Sequence, residues 1–360
     1  MRIALGLFML GLVCASAAQA DDPARAGKAA IFTISNEAEG NRVLAFKVRH
    51  DGTLGRAHAF ATGGMGSGDS LGSQGALVLT HDQRFLIAVD AGSNELSVFE
   101  VHAAHLELRQ RVASGGVRPI SVTERCGLVY VVHAGSDDVM GFHLDGSGQL
   151  TPIAGSHRRL SGTEAGPAQI SLSPDARTLI VTEKQRNVIT TYQVDAYGKL
   201  SEPMVTASEG MTPFGFELTS RGVLVVSEAA TGSMSSYALG DDKLAAISSV
   251  VPDNQQAPCW VEITADDSIA FTANAGSASI SSYDISSSGA LSLRDERAGD
   301  LGEGATPLDL AFARDGRYLF VLDRGNARIA GFEVHHRGEL SMIEASEDEL
   351  PEFTTGLAAY

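Results

Sequence analysis

Seven times along the chain an aromatic residue ends a strand-length run and is followed, seven or eight positions later, by a leucine. The aromatics are Phe46, Phe99, Phe142, Tyr192, Tyr237, Tyr283 and Phe332, and the leucines are Leu54, Leu106, Leu150, Leu200, Leu244, Leu291 and Leu340. Successive aromatics stand 53, 43, 50, 45, 46 and 49 residues apart. A period in the forties is too long for a solenoid of single hairpins and suits one small sheet per repeat.

The unit is clearest between Pro167 and Leu200. An alternating run, Ala168 to Leu172, leads to a turn at Ser173-Pro174-Asp175, where proline presets φ and the aspartate can hold the backbone. Two runs rich in β-branched and aromatic residues follow, Thr178 to Thr182 and Val188 to Val194, and a turn at Ala196-Tyr197-Gly198 opens a fourth. Four short antiparallel strands repeated seven times predict an all-β, seven-bladed β-propeller. The first unit lacks its own inner strand, and the run Thr354 to Ala359 follows a proline as the other inner strands do. That C-terminal strand is expected to complete the first blade and close the ring.

Residues 1–20 read as a cleavable signal peptide: Arg2, an apolar stretch Ile3 to Val13, and the small-x-small site Ala18-Gln19-Ala20. Residues 21–360 then form one propeller domain, periplasmic or secreted after cleavage behind Ala20, with no later membrane insertion. The 27 basic and 44 acidic residues leave a net charge of −17, which argues against nucleic acid as a partner. A monomer is expected. Cys126 and Cys259 fall at opposite ends of their blades, too far apart to bridge, and no disulfide is expected.

Two sets of positions carry candidate chemistry. The second strands end in Asn36, Asp90, His133, Glu183, Glu228, Asn274 and Asp323, polar in every unit. Such residues cap turns, but Glu183 and Glu228 in neighbouring blades could also share a mouth, raise one another's pKa and supply a general base. His133 is a candidate proton shuttle. Lys184, Arg186, Arg118 and Arg324 are the basic residues placed near that mouth, and Asp90 and Asn274 are further substrate-binding candidates. The inner strands open near Gln74, Pro119, Pro167, Pro213, Pro258 and Pro307, and two residues on stand Ala76, Ser121, Gln169, Gly215, Trp260 and Asp309. Trp260 with Phe214 and Phe216 could wall an apolar pocket, with Gln169 and Asp309 as polar handles.

The runs GPAQISLSPDARTLIVTEKQRNVITTYQV, TPFGFELTSRGVLVVSEA and APCWVEITADDSIAFTANAGSASISSYDI resemble the seven-bladed lactonase family, which includes 6-phosphogluconolactonase-like enzymes and proteins described as 3-carboxymuconate cyclase. The resemblance implies opening or closing of a lactone ring on a small carboxylated substrate by acid/base catalysis. It implies no metal or cofactor, and arginines that hold the anionic group. The family's histidine motif at the opening of a central blade is replaced here by Ala165-Gly166-Pro167-Ala168-Gln169, so Glu183, Glu228 or His133 would move the proton and Arg186 would hold the carboxylate. Two other readings stay open. One is a non-catalytic exported propeller that binds a protein or glycan. The other is a calcium-assisted lactonase using Asp90, Asp323 and the two glutamates.

Overall fold

The computed structural model describes residues 29–240, 243–343, 346 and 348–360. The expected leader and its cleavage site lie outside these residues. Seven antiparallel sheets form a seven-bladed propeller; blades two to seven each run from an inner to an outer strand in chain order, and blade one takes its inner strand from the C-terminus. Blade four is Pro167–Leu172, Thr178–Glu183, Val188–Gln193 and Met204–Ala207. Blade three carries one additional pair of residues, Arg158–Arg159, on its third strand. All seven marker aromatics are buried, at 0–1% exposure, and each such burial contributes roughly 1.5–3 kcal/mol. In blades one and four the marker leucine makes a single bridge, Val48 to Leu54 and Val194 to Leu200. The outer strand proper starts a few residues later.

The ring closes as expected. Thr355–Ala359 is the inner strand of blade one and pairs antiparallel with Ala30–Ile34, with Ile31 opposite Ala359 and Phe32 opposite Ala358. Tyr360 and Ala30 exchange backbone hydrogen bonds beyond it, and the Thr33 hydroxyl donates to the Thr355 carbonyl.

Each proline that opens an inner strand stands opposite the polar residue ending the second strand: Pro119 opposite His133, Pro167 opposite Glu183, Pro213 opposite Glu228, Pro258 opposite Asn274, and Pro307 opposite Asp323. Proline cannot donate to the ladder, and the register shifts directly after it in all five strands. This bulge re-aims the inner-strand side chains around the axis. Cys259 is a free, buried thiol, so the two cysteines are not bridged to each other.

Candidate functional site

The polar residues that end the second strands lie inside the blades. Asn36, Asp90, His133, Glu183, Glu228, Asn274 and Asp323 are fully buried, and their partners come from the blades themselves and from the segments that join them. Glu183 accepts from the Ser161 amide and hydroxyl and from Thr190. Glu228 accepts from Ser208 and, more weakly, from Tyr237. Asp90 accepts from Asn41, Thr62 and Ser97, and Asn274 donates to Ser279 and Ser281. Asp323 binds Arg328, Asn326 and the Thr306 amide. The His133 ring meets Asp138 at 2.9 Å. A crossing segment brings bare backbone amides to a buried strand end, and these side chains satisfy them. The structure therefore does not bring Glu183, Glu228 and His133 into one cavity. Burial pushes the Glu228 carboxyl up to about 7.

The end of the channel nearest the prolines is closed. The segment joining blade one to blade two, Ser70 to Gln74, crosses it and is fixed by four other blades. Arg118 donates to the Ser70 carbonyl, and Arg324 donates to the Ser70 hydroxyl. Lys184 donates to the Gly72 carbonyl while standing 4.9 Å over the Phe214 ring, and Trp260 Nε1 donates to the Ser73 carbonyl at 2.9 Å. Trp260 packs edge-on against Phe214, centroids 4.9 Å apart, beneath this segment rather than on an open pocket. Arg186 is exposed beside Gly162 at the same end.

The Gln74 amide spans the axis, donating to the Val261 carbonyl at 2.8 Å and accepting from the Val261 amide at 3.0 Å. Gln169 makes the same double contact with Phe216, but between neighbouring blades. A Cβ on Gly215 would meet the Gln74 carboxamide oxygen at 2.2 Å and the Cys259 carbonyl at 2.4 Å, so the close approach requires glycine there.

From the other end, that of the first-to-second and third-to-fourth strand turns, the channel opens as a cavity of about 880 Å³ reaching in to Gln74. Four residues beyond each strand opening a ring of side chains lines it: Val78, Thr123, Ser171, Glu217, Glu262 and Ala311. Gln169 and Asp309, both expected at a pocket, line it too. Three carboxyls thus share one confined space. Burial raises the Glu217 carboxyl to about 7. Burial and then the charges of Glu217 and Asp309 hold Glu262 well above the usual carboxylate range. Asp309 is 2% exposed, accepts backbone hydrogen bonds from Leu357 and Gly75, and is likewise raised, by burial first and then by Glu217. Its Oδ2 has no partner among the described residues.

One sector of the rim is basic, although the exposed Asp266 of blade six also lies there. Arg314, His335, His336 and Arg337 from the turns of blade seven line the cavity and are exposed. Arg294 from blade six joins them but is paired with Asp284.

Sequence reasoning missed Glu217 and Glu262. They stand two residues beyond Gly215 and Trp260, and the two-residue period of a strand would have pointed to them. Among the described residues one group, Glu100, His102 and Glu107, brings ligand atoms within 4.8 Å of one another. It lies on the outer part of blade two, where Arg109 already pairs with both glutamates.

Comparison with known proteins agrees with this architecture. A family model described as "Lactonase, 7-bladed beta-propeller" matches residues 29–163, 153–230 and 223–309. Among curated proteins no sequence match was found. A protein of known structure from Lactobacillus plantarum superposes with a TM-score of 0.76 at 15% identity, covering 92% of this chain and 99% of its own. A Bacteroides fragilis protein provisionally called a 6-phosphogluconolactonase gives 0.73 at 16% identity, with 94% and 100% covered. A Pseudomonas aeruginosa periplasmic gluconolactonase gives 0.69 at 16%, with 91% and 98% covered. At such identities the likeness in structure speaks for the fold, and the family match speaks for descent: the chain belongs to the seven-bladed β-propeller lactonase family.

Proposed function

We propose that the acidic cup is a lactonase site, and that it opens the ring of a small lactone carrying a carboxylate or similar anionic group. The observation that carries this reading is the pairing of Glu217 and Glu262 in one confined cavity with Asp309 beside them. Like charges brought together in a poorly solvated space cannot all ionise, so near neutral pH one carboxyl is ionised while another keeps its proton. The ionised member takes a proton from a water molecule as that water attacks the lactone carbonyl carbon. The protonated member delivers its proton to the ring oxygen as the carbon–oxygen bond breaks, giving a hydroxy acid. Arg314 and Arg337 at the rim orient the substrate's anionic end outward and its ring inward. The carboxylate formed on ring opening is repelled by the remaining acids, which favours release.

The Pseudomonas aeruginosa neighbour is described as periplasmic. With the apolar segment and Ala18-Gln19-Ala20 of this chain, that supports export as the setting of the reaction.

A panel of five- and six-membered lactones with and without a carboxyl substituent tests the proposal. Glu262→Gln and Glu217→Gln should each lower kcat by about 100-fold or more without lowering Tm. Turnover should fall toward acid pH as the general base protonates. A chelator should leave it unchanged. If Glu183→Gln or His133→Gln silences a folded enzyme while Glu262→Gln does not, the chemistry belongs to the second-strand ends and the cup reading fails. Failure of every lactone would return the chain to a binding role.

A further inference from the structure

We propose that Gln74 is a specificity-determining residue: with the Ser70–Gln74 segment behind it, Gln74 is the floor that turns an open channel into a blind cup and limits how deep a ligand can reach. The part concerning ligand depth rests on the lactonase reading; the closure itself does not.

Four observations support it. The carboxamide of Gln74 bonds both backbone groups of Val261, on a strand far around the ring, so it bridges the axis instead of a blade interface. The segment is anchored by polar contacts to blades other than its own: Ser73 to the Ile120 carbonyl, the Gln74 amide to the Ala168 carbonyl, and Trp260 to the Ser73 carbonyl. Gly215 is shaped to receive the carboxamide, since a methyl group there would strike it. Finally, the two sides of the floor differ in charge. On the cup side stand Glu217, Glu262 and Asp309. On the far side Arg118, Lys184 and Arg324 all donate to the segment itself. An open floor would expose the acids to the positive field of the far side and to water, and both would weaken their hold on protons.

Cys259 is a built-in reporter. Its thiol is buried on the strand that carries Trp260, lies within the field of Lys184, and is pushed up to about 12 by burial. In the full-length protein, labelling of Cys259 by a maleimide at pH 8, followed peptide by peptide in a mass spectrometer, should be slow. In Gln74→Ala it should quicken by about tenfold or more, because opening of the floor no longer has to break the axial bonds. Trp260→Phe, which keeps Gln74 but frees the Ser73 carbonyl, should give an intermediate rate. With lactones of increasing side-chain length, Gln74→Ala should shift relative kcat/KM toward the longer members by about tenfold per added methylene pair.

Native melting together with unchanged Cys259 labelling in both variants would overturn the proposal, as would faster labelling without any shift in length preference. If neither the wild type nor the variant turns over any lactone, the lactonase reading fails by itself, and the labelling rates still decide whether Gln74 seals the channel.

Discussion

A chain ending at Leu350 should lose its cooperative thermal transition and aggregate, although only residues 351–360 are removed. Those residues carry the inner strand of blade one, and without it the edge of Ala30–Ile34 is bare. All five residues of that strand are fully buried in the closed ring, so the exposed edge is apolar as well as unpaired, the combination that invites intermolecular pairing. The loss reaches beyond one blade. Gly356 lies against Ala76 and Leu77 of blade two, and the Leu357 amide donates to Asp309 of blade seven. Each lost backbone hydrogen bond removes about 1 kcal/mol net, and unburying Leu357 roughly 2 kcal/mol more. Together these are comparable to the roughly 5–15 kcal/mol that holds a typical domain together. Circular dichroism melts of the two chains make the comparison. A synthetic peptide of residues 351–360 added in trans should restore part of the transition. A truncated chain that melts like the full one would mean that the ring does not depend on this closure.

The repeat was legible because burial enforces it. Every blade needs one large side chain at the same place, and Phe46 through Phe332 keep their spacing for that reason. Even the irregularity of the period carried information. The longest interval, 53 residues from Phe46 to Phe99, spans the joint between blades one and two, where the additional chain crosses the channel as the floor. What a one-dimensional pattern cannot supply is the direction a side chain takes after a bulge. The second-strand ends read as a ring of polar residues at a mouth. In three dimensions the crossing segments cover those ends, and Glu183 and Asp323 spend their oxygens on amides arriving from the previous blade. Conversely Glu217 and Glu262 follow apolar residues on strands that look like core, and only the packing of neighbouring inner strands around the channel brings both into shared space. Asp309 and Gln169 could be placed near the axis from sequence because they stand close to the proline, where position alone fixes the distance to the axis.

Glu228→Gln is expected to stabilise the protein at alkaline pH and to leave it nearly unchanged in acid. The Glu228 carboxyl is fully buried and titrates near 7 in the folded chain, against an ordinary value of 4.5. Its folded-state pKa is therefore raised, which means the native state holds a proton that the unfolded state has already released anywhere between those two values. Stability must fall as pH rises through this window, and above about 7 the full cost of a buried charge is present. At 1.36 kcal/mol per pKa unit, that cost is on the order of 3 kcal/mol. A glutamine occupies the same volume, still accepts from Ser208, and never ionises. The variant should thus melt a few degrees higher than the wild type at pH 8, and the gain should shrink to nothing by pH 4.5. Glu217, Glu262 and Asp309 are raised in the same direction, so both proteins share a background decline with pH, and only their difference reports on Glu228. A difference in Tm that stays constant from pH 4.5 to 8 would show that the buried carboxyl does not titrate in this range. Ser208 lies in the segment crossing into blade five and donates to Glu228. In that case it holds a permanently ionised group, and the second-strand ends regain their claim to the protons that the cup is proposed to move.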